Sequence, residues 1–234
     1  GYPMAGHLSN AGYNVTVYNR TESKSDSWLK EYKGSKAITP QEAVKDSKIV
    51  FACVGNDNDI KEICIGNNGA FLGMDKNAIF VDNTTASANI ARELYKTAKD
   101  DYSIAFLDAP VSGGEAGAKN GALTVMVGGD KNIFNIAKPY IDAYSQAATL
   151  MGKSGAGQLT KMVNQICIAG LRQGLSEGIK FGILSGLEIP KVAEVISTGG
   201  AGSWQMINRA DTMAKAEFDF GCAIELTDKD LQIC

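Results

Sequence analysis

The chain has 234 residues, 44% of them apolar and 21% charged, with a net charge of −3. That length buries a sizeable core as one large or two modest domains, and the composition is that of an ordinary globular protein, not a disordered or fibrous one. No basic footprint for nucleic acid or a membrane surface is present, no apolar run is long enough to span a bilayer, and no charged-then-apolar leader precedes the first helix, so the expected compartment is the cytoplasm.

Up to about Leu150, β-branched runs alternate with helical patterns, the signature of βαβ units on a parallel sheet. In chain order the pattern predicts helix 2–11, strand 14–18, helices 23–32 and 40–45, strand 48–54, helix 57–64, strand 78–81, helix 87–99, strands 104–107 and 123–127, helix 131–143 and strand 148–151. A doubly wound, mostly parallel sheet follows from that order. Beyond Gly157 only helices are expected, at 158–185, 190–198, 203–215 and from 222 onward. The domain boundary is therefore placed near 152–155, giving an α/β unit over 1–153 and an all-helical unit over 154–234.

The long helix carries Gly170, Gly174, Gly178, Gly182 and Gly186, one every four residues. An interior glycine costs about 1 kcal/mol against alanine, so such a stripe needs a reason, and close packing on another helix supplies one. Arg172, Glu177 and Lys180 in the same turns argue against lipid, which leaves a contact within the chain or across a homodimer. The five cysteines are odd in number and scattered, which suits reduced core residues, and no zinc spacing occurs. His7 is the single histidine, and its setting in a short helix favours a structural role.

Several segments carry chemistry. Gly1-Tyr-Pro-Met-Ala-Gly-His-Leu, followed by a strand ending at Tyr18-Asn19-Arg20-Thr21, looks like part of a dinucleotide fold, in which a helix N-terminus faces the pyrophosphate. Asn19, Arg20 and Thr21 offer no carboxylate for a ribose 2′-hydroxyl and one guanidinium suited to a 2′-phosphate, which points to NADP; the alternative is an ordinary surface arginine. Val54-Gly55-Asn56 and Asp82-Asn83-Thr84-Thr85 each follow a strand, where open α/β sheets bind ligands. Asp108-Ala-Pro-Val-Ser-Gly-Gly114 could aim backbone N–H groups and the Ser112 hydroxyl at a carboxylate, or could be a simple turn. Gln158, Lys161, Asn164 and Gln165 share one side of the long helix. Lys161 there is either a solvent-facing lysine or a desolvated ammonium whose pKa is drawn toward the range of a proton donor.

Taken in order, these segments, together with Phe218-Asp-Phe-Gly221 leading to Lys229-Asp230-Leu231, resemble the β-hydroxyacid dehydrogenase family, which includes 3-hydroxyisobutyrate dehydrogenase and tartronate semialdehyde reductase. The resemblance covers the whole chain. It implies a Rossmann-type sheet followed by an all-α domain, as in 6-phosphogluconate dehydrogenase, with NADP preferred and NAD the second option. It also implies that Lys161 is the general acid/base in the interconversion of a small 3-hydroxy acid and its semialdehyde or keto form. Ser112, Gly113 and Gly114 would hold the substrate carboxylate beside Asn164 and Gln165. Gly1, Met4, Asn19, Arg20, Thr21, Val54, Gly55, Thr85 and Lys229 would contact the cofactor.

Many members of that family carry Leu-Pro in place of Val54-Gly55 and a second Asn in place of Gln165, which makes the particular substrate an open matter. Against the family the first strand and the last helices are missing, so the chain reads as a fragment in which weak cofactor binding is expected. A homodimer or homotetramer through the helical unit is expected, and Trp204, Asn208 and Phe218 are candidates for shaping the pocket or for plain packing. The competing readings are imine reduction on the same fold and a cofactor-binding module without catalysis; relatives of both kinds lack the lysine that this chain keeps.

Overall fold

The computed structural model describes residues 1–218 and 224–234. Helix α1 (Tyr2–Asn10) starts at Gly1 with Pro3 in its first turn, where a missing N–H costs nothing, and buries Met4 and Leu8 one turn apart. Gly6 lets α1 lie on Tyr32, whose ring atoms would stand 2.4 Å from any β-carbon there. Strand β1 (Thr16–Val17) pairs in parallel with β2 (Ser35–Lys36), a strand the sequence pattern does not reveal because two exposed residues carry no alternation. Between them α2 (Glu22–Glu31) buries Trp28. These two strands form a sheet of their own.

The main sheet follows, built from β3 (Ile49–Ala52), β4 (Ile79–Asp82), β5 (Ala105–Asp108), β6 (Val111–Ser112), β7 (Leu123–Gly128) and β8 (Ser145–Gly152). Its order is β3-β4-β5-β7-β6, with β8 also paired to β7. Strands β3, β4 and β5 run parallel, β7 is antiparallel to β5 and β6, and β8 runs parallel to β7. The connecting helices are α3 (Pro40–Ala43), α4 (Asp57–Ile65), α5 (Ala88–Tyr102), α6 (Gly114–Lys119) and α7 (Lys131–Ile141). The sequence pattern predicts neither β6 nor α6; both are too short to show a period.

Period-two alternation sorts the sheet onto two cores. Ile79, Val81 and Leu107 face α1 and α7 with Met4, Leu8, Phe134 and Ile141. Phe80 and Phe106 face α4 and α5 with Ile60, Phe71 and Leu94. Phe80 and Phe106 are register partners and stack with centroids 5.6 Å apart.

After Gly152 the described residues form helices only: α8 (Ala156–Leu184), α9 (Ile189–Ile196), α10 (Trp204–Ala214) and α11 (Ile224–Ile233). Helix α10 packs on α8 and α9, and α11 packs on α8. Among the described residues no helix is long and apolar enough to cross a membrane. The glycine stripe resolves unevenly. Gly182 meets Ile189 from α9, whereas Gly170, Gly174 and Gly178 have no neighbour within 4 Å of a built β-carbon and border a groove of about 380 Å³. Gly186 does not belong to the stripe: at φ 73° it ends α8, with Leu187 N–H donating to Gly182 O and Gly186 N–H to Ile183 O.

Candidate active site

Strands β3, β4 and β5 are parallel, so their carboxyl ends share one edge of the sheet, and β4 and β5 each close there on a carboxylate, Asp82 and Asp108. Asp108, closing β5, is fully buried; its Oδ1 accepts from Gly155 N at 2.7 Å and its Oδ2 from Gln158 N at 3.1 Å. The carboxylate thus caps the first turn of α8 and complements the helix dipole. Burial pushes the Asp108 pKa up, and the amide donors of α8 oppose that rise. Gly157 permits the close approach: a β-carbon there would lie 2.4 Å from Met126 O and 2.7 Å from Asp108 O.

Gln158, also fully buried, brackets the loop after β4. Its Nε2 donates to Thr84 O at 2.7 Å, and its Oε1 accepts from Ala86 N at 3.1 Å. The same loop is tied to β4 and β3. Thr84 N and the Thr84 hydroxyl donate to Asp82, while Thr84 Oγ1 accepts from Val54 N at 3.0 Å. Desolvation raises the Asp82 pKa to about 7, with the negative charges of Asp108 and Asp57 acting in the same direction and the Thr84 donors against it.

Lys161 stands one turn beyond Gln158 on the same face of α8 and is 7% exposed. The surface-lysine alternative is therefore excluded by its burial. Farther along that face Asn164 Nδ2 donates to Gln165 Oε1 at 2.9 Å, and Gln165 Nε2 donates to Asp230 Oδ2 at 2.6 Å. Asp230 lies beside Lys229, whose Nζ is 2.9 Å from Asp230 Oδ1, a charge contact without hydrogen-bond alignment. Lys229 Nζ also donates to Gly55 O at 3.0 Å and to Thr85 O at 2.6 Å. One connected set of polar contacts thus joins α8, α11 and the loops after β3 and β4.

The remaining candidates sit around this core. Ser112 ends β6, and Gly113 and Gly114, at φ 134° and 62°, turn the chain into α6; the loop reaches α8 through β7, which pairs with β6 and packs on α8. Gly1 is the N-cap of α1 and offers no side chain to bond the first amides of that helix. Met4 is buried in the apolar core, so only its backbone can face a cofactor. Asn19 Oδ1 accepts from Thr21 N at 2.9 Å, and the Arg20 side chain, 82% exposed, pairs with Asp59 at 3.1 Å. His7 is structural: its Nε2 lies 2.9 Å from Ala118 O and 3.1 Å from Lys119 O.

Trp204, Asn208 and Phe218 are exposed, with Arg209 over the Trp204 ring at 5.1 Å. Of the segment 218–221 and Cys222, residues 219–222 lie outside the described residues. Three contributors are invisible to sequence reasoning: the Gln158 bracket, the Asp59 partner of Arg20 and the Asp230 contact to Gln165. A usable signal exists only for the carboxylates that close apolar strands, in Ile79-Phe-Val-Asp82 and Ala105-Phe-Leu-Asp108.

The chain matches two family models, one described as the NAD binding domain of 6-phosphogluconate dehydrogenase over residues 1–152, the other as NAD-binding of NADP-dependent 3-hydroxyisobutyrate dehydrogenase over residues 155–234. An uncharacterised oxidoreductase of Shewanella frigidimarina is 57% identical, covering 100% of this chain and 80% of that protein. A probable mitochondrial 3-hydroxyisobutyrate dehydrogenase-like protein of Arabidopsis thaliana is 39% identical, covering 100% of this chain and 70% of that protein. The fold is that of the 3-hydroxyisobutyrate dehydrogenase of Mycobacterium tuberculosis, solved with L-serine, at TM-score 0.87 and 24% identity, covering 99% of this chain and 80% of that one. The chain belongs to the β-hydroxyacid dehydrogenase family of NAD(P)-dependent oxidoreductases.

Proposed function

We propose that this protein is an NADP-preferring dehydrogenase that interconverts a small 3-hydroxy acid and its semialdehyde or keto form, with Lys161 as the proton donor and acceptor. The observation that carries this reading is the buried Lys161 on α8, one turn from the side chain that brackets the loop after β4. A buried ammonium costs several kcal/mol unless its surroundings compensate, and it is the group best suited to give a proton to a carbonyl oxygen becoming an alkoxide. In the oxidation direction neutral Lys161 takes the hydroxyl proton.

The Ser112 hydroxyl and the amides of Gly113 and Gly114 receive the substrate carboxylate, with Asn164 and Gln165 as neighbours of the reacting end. The residues around the start of α1 and the loop after β1 fit a phosphorylated dinucleotide: helix N-terminal amides that no side chain caps, an exposed Arg20 guanidinium and no carboxylate among Asn19, Arg20 and Thr21. When bound, the nicotinamide supplies or takes up the hydride. Asp108 and Gln158 hold α8 in place, and Lys229 ties α11 to the loops after β3 and β4.

The reading includes a division into 1–153 and 154–234, supported by the change from sheet to helices after Gly152. It includes a homodimer or homotetramer through the helical half, supported by the open face at Gly170, Gly174 and Gly178 and by exposed Phe181 and Leu184. A cytoplasmic location is supported by the free thiols of Cys53, Cys64, Cys167 and Cys234. The test is a panel of small semialdehydes and 3-hydroxy acids assayed with NADPH and with NADH. Lys161→Ala is expected to lower turnover by about a hundredfold or more with NADPH affinity nearly unchanged. Undiminished turnover in that variant overturns the assignment.

A further inference from the structure

We propose that Asp82 and Asp108 form a buried acid pair that retains one proton in mildly acidic solution, held by Asp82 and released near neutrality, and that this proton makes Asp82 the positioning residue for the loop that docks Lys161's helix. The two residues are register partners on the parallel strands β4 and β5, so their side chains leave the same face of the sheet side by side, and both are fully buried. Two carboxylates that close together in the interior do not both ionise.

The donor sets decide which one keeps the proton. Each Asp108 oxygen accepts an amide N–H of α8, which stabilises the anion. Asp82 takes its donors from Thr84 alone, the N–H at 2.9 Å on Oδ1 and the hydroxyl, and its Oδ2 is buried with no hydrogen-bond partner. The charged groups acting on Asp82 are Asp108 from β5 and Asp57 from the start of α4, both negative, and the Cys64 thiol of α4 is itself pushed up in part by Asp82. Burial first, then these charges, lift Asp82 from 3.8 to about 7.

The loop this proton serves is the one through which the site is wired. Thr84 O and Ala86 N meet Gln158, and Thr85 O meets Lys229. Losing the proton places a second negative charge beside Asp108 and loosens that loop. Because the folded-state value lies above the ordinary one, the pair's contribution to stability is greatest below pH 3.8, falls as pH rises toward about 7 and is level above it.

The full chain is examined by infrared spectroscopy for the C=O stretch of a buried carboxylic acid. The band is expected at pH 6, lost as pH passes through about 7 and absent from Asp82→Asn. The melting temperature of Asp82→Asn is expected to gain on that of the unaltered chain as pH rises. The kinetic consequence rests on the proposed dehydrogenase reading: the unaltered chain loses kcat/KM through the same pH range, Asp82→Asn flattens that loss, and Asp82→Ala lowers kcat throughout. An unaltered chain without the band at pH 6, or an Asn variant that keeps the band or melts in parallel at every pH, overturns the proposal. If Asp82→Asn does not fold, the titration of the unaltered chain still decides. A chain with the band but no dehydrogenase activity sinks the function and leaves the acid pair standing.

Discussion

Gln158→Leu isolates the bracket between α8 and the loop after β4. Leucine keeps about the same volume, so the perturbation is the loss of two hydrogen bonds, leaving Thr84 O and Ala86 N–H buried and unpaired. An orphaned buried group costs about 1–3 kcal/mol, so the pair costs roughly 2–6 kcal/mol. A domain of this size is stable by about 5–15 kcal/mol, and each kcal/mol moves Tm by roughly 2–4 °C, giving a fall of roughly 4–24 °C. Lys161 follows Gln158 by one turn, and a misplacement of about 1 Å can cost a hundredfold in rate, so kcat is expected to fall roughly ten- to a hundredfold while KM for NADPH changes less. Gln158→Glu should be worse, since it sets an oxygen against Thr84 O and a charge beside Asp108. Thermal melts and steady-state kinetics on the variants provide the check. A Tm within about 2 °C of the unaltered chain and kcat within about twofold would refute the bracket.

Arg20→Ala should raise KM for NADPH roughly tenfold or more and leave KM for NADH nearly unchanged, because a charge-assisted phosphate contact is worth about 1.5–3 kcal/mol; equal effects on both cofactors would remove Arg20 as the selector. Gly157→Ala should prevent α8 from seating, since the new methyl meets backbone carbonyls at 2.4 and 2.7 Å, and circular dichroism melts would show a native-like Tm if this reasoning failed. Gln165→Leu breaks the 2.6 Å bond to Asp230, one of the ties that hold α11, so KM for both cofactors should rise roughly tenfold; unchanged values would count against that contact. Gly178→Leu enters open space within the chain, so it should leave the monomer's fold intact and weaken self-association in sedimentation experiments, and an unaltered oligomer would exclude this face.

Part of the site is legible in the sequence alone. Lys161, Asn164 and Gln165 announce themselves as polar residues on one side of an otherwise apolar helix, and Arg20 by standing at a strand end with no carboxylate beside it. The rest is not legible, for identifiable reasons. The residues of β2 and β6 are too few to display a period, and Met4 sits in a segment whose glycines point to a cofactor although its side chain belongs to the core. Gln158 shares a face with Lys161, but nothing local says that its amide will replace a strand in bonding Thr84 and Ala86.

What the sequence by itself determined is the order of elements and the change from sheet to helices after Gly152, because apolar period and glycine-bearing turns are properties of neighbours along the chain. What only the tertiary structure decided is which polar groups meet. Lys229 reaches back 174 residues to Gly55 and 144 to Thr85, and Asp82 faces Asp108 only because β4 and β5 pair in that register. A slip of one residue would turn every side chain of a strand to the other face, and the two carboxylates would part. Register, helix crossing and burial arise from the packing of the whole chain, and it is packing that turns Lys161 from one lysine among many into a buried one.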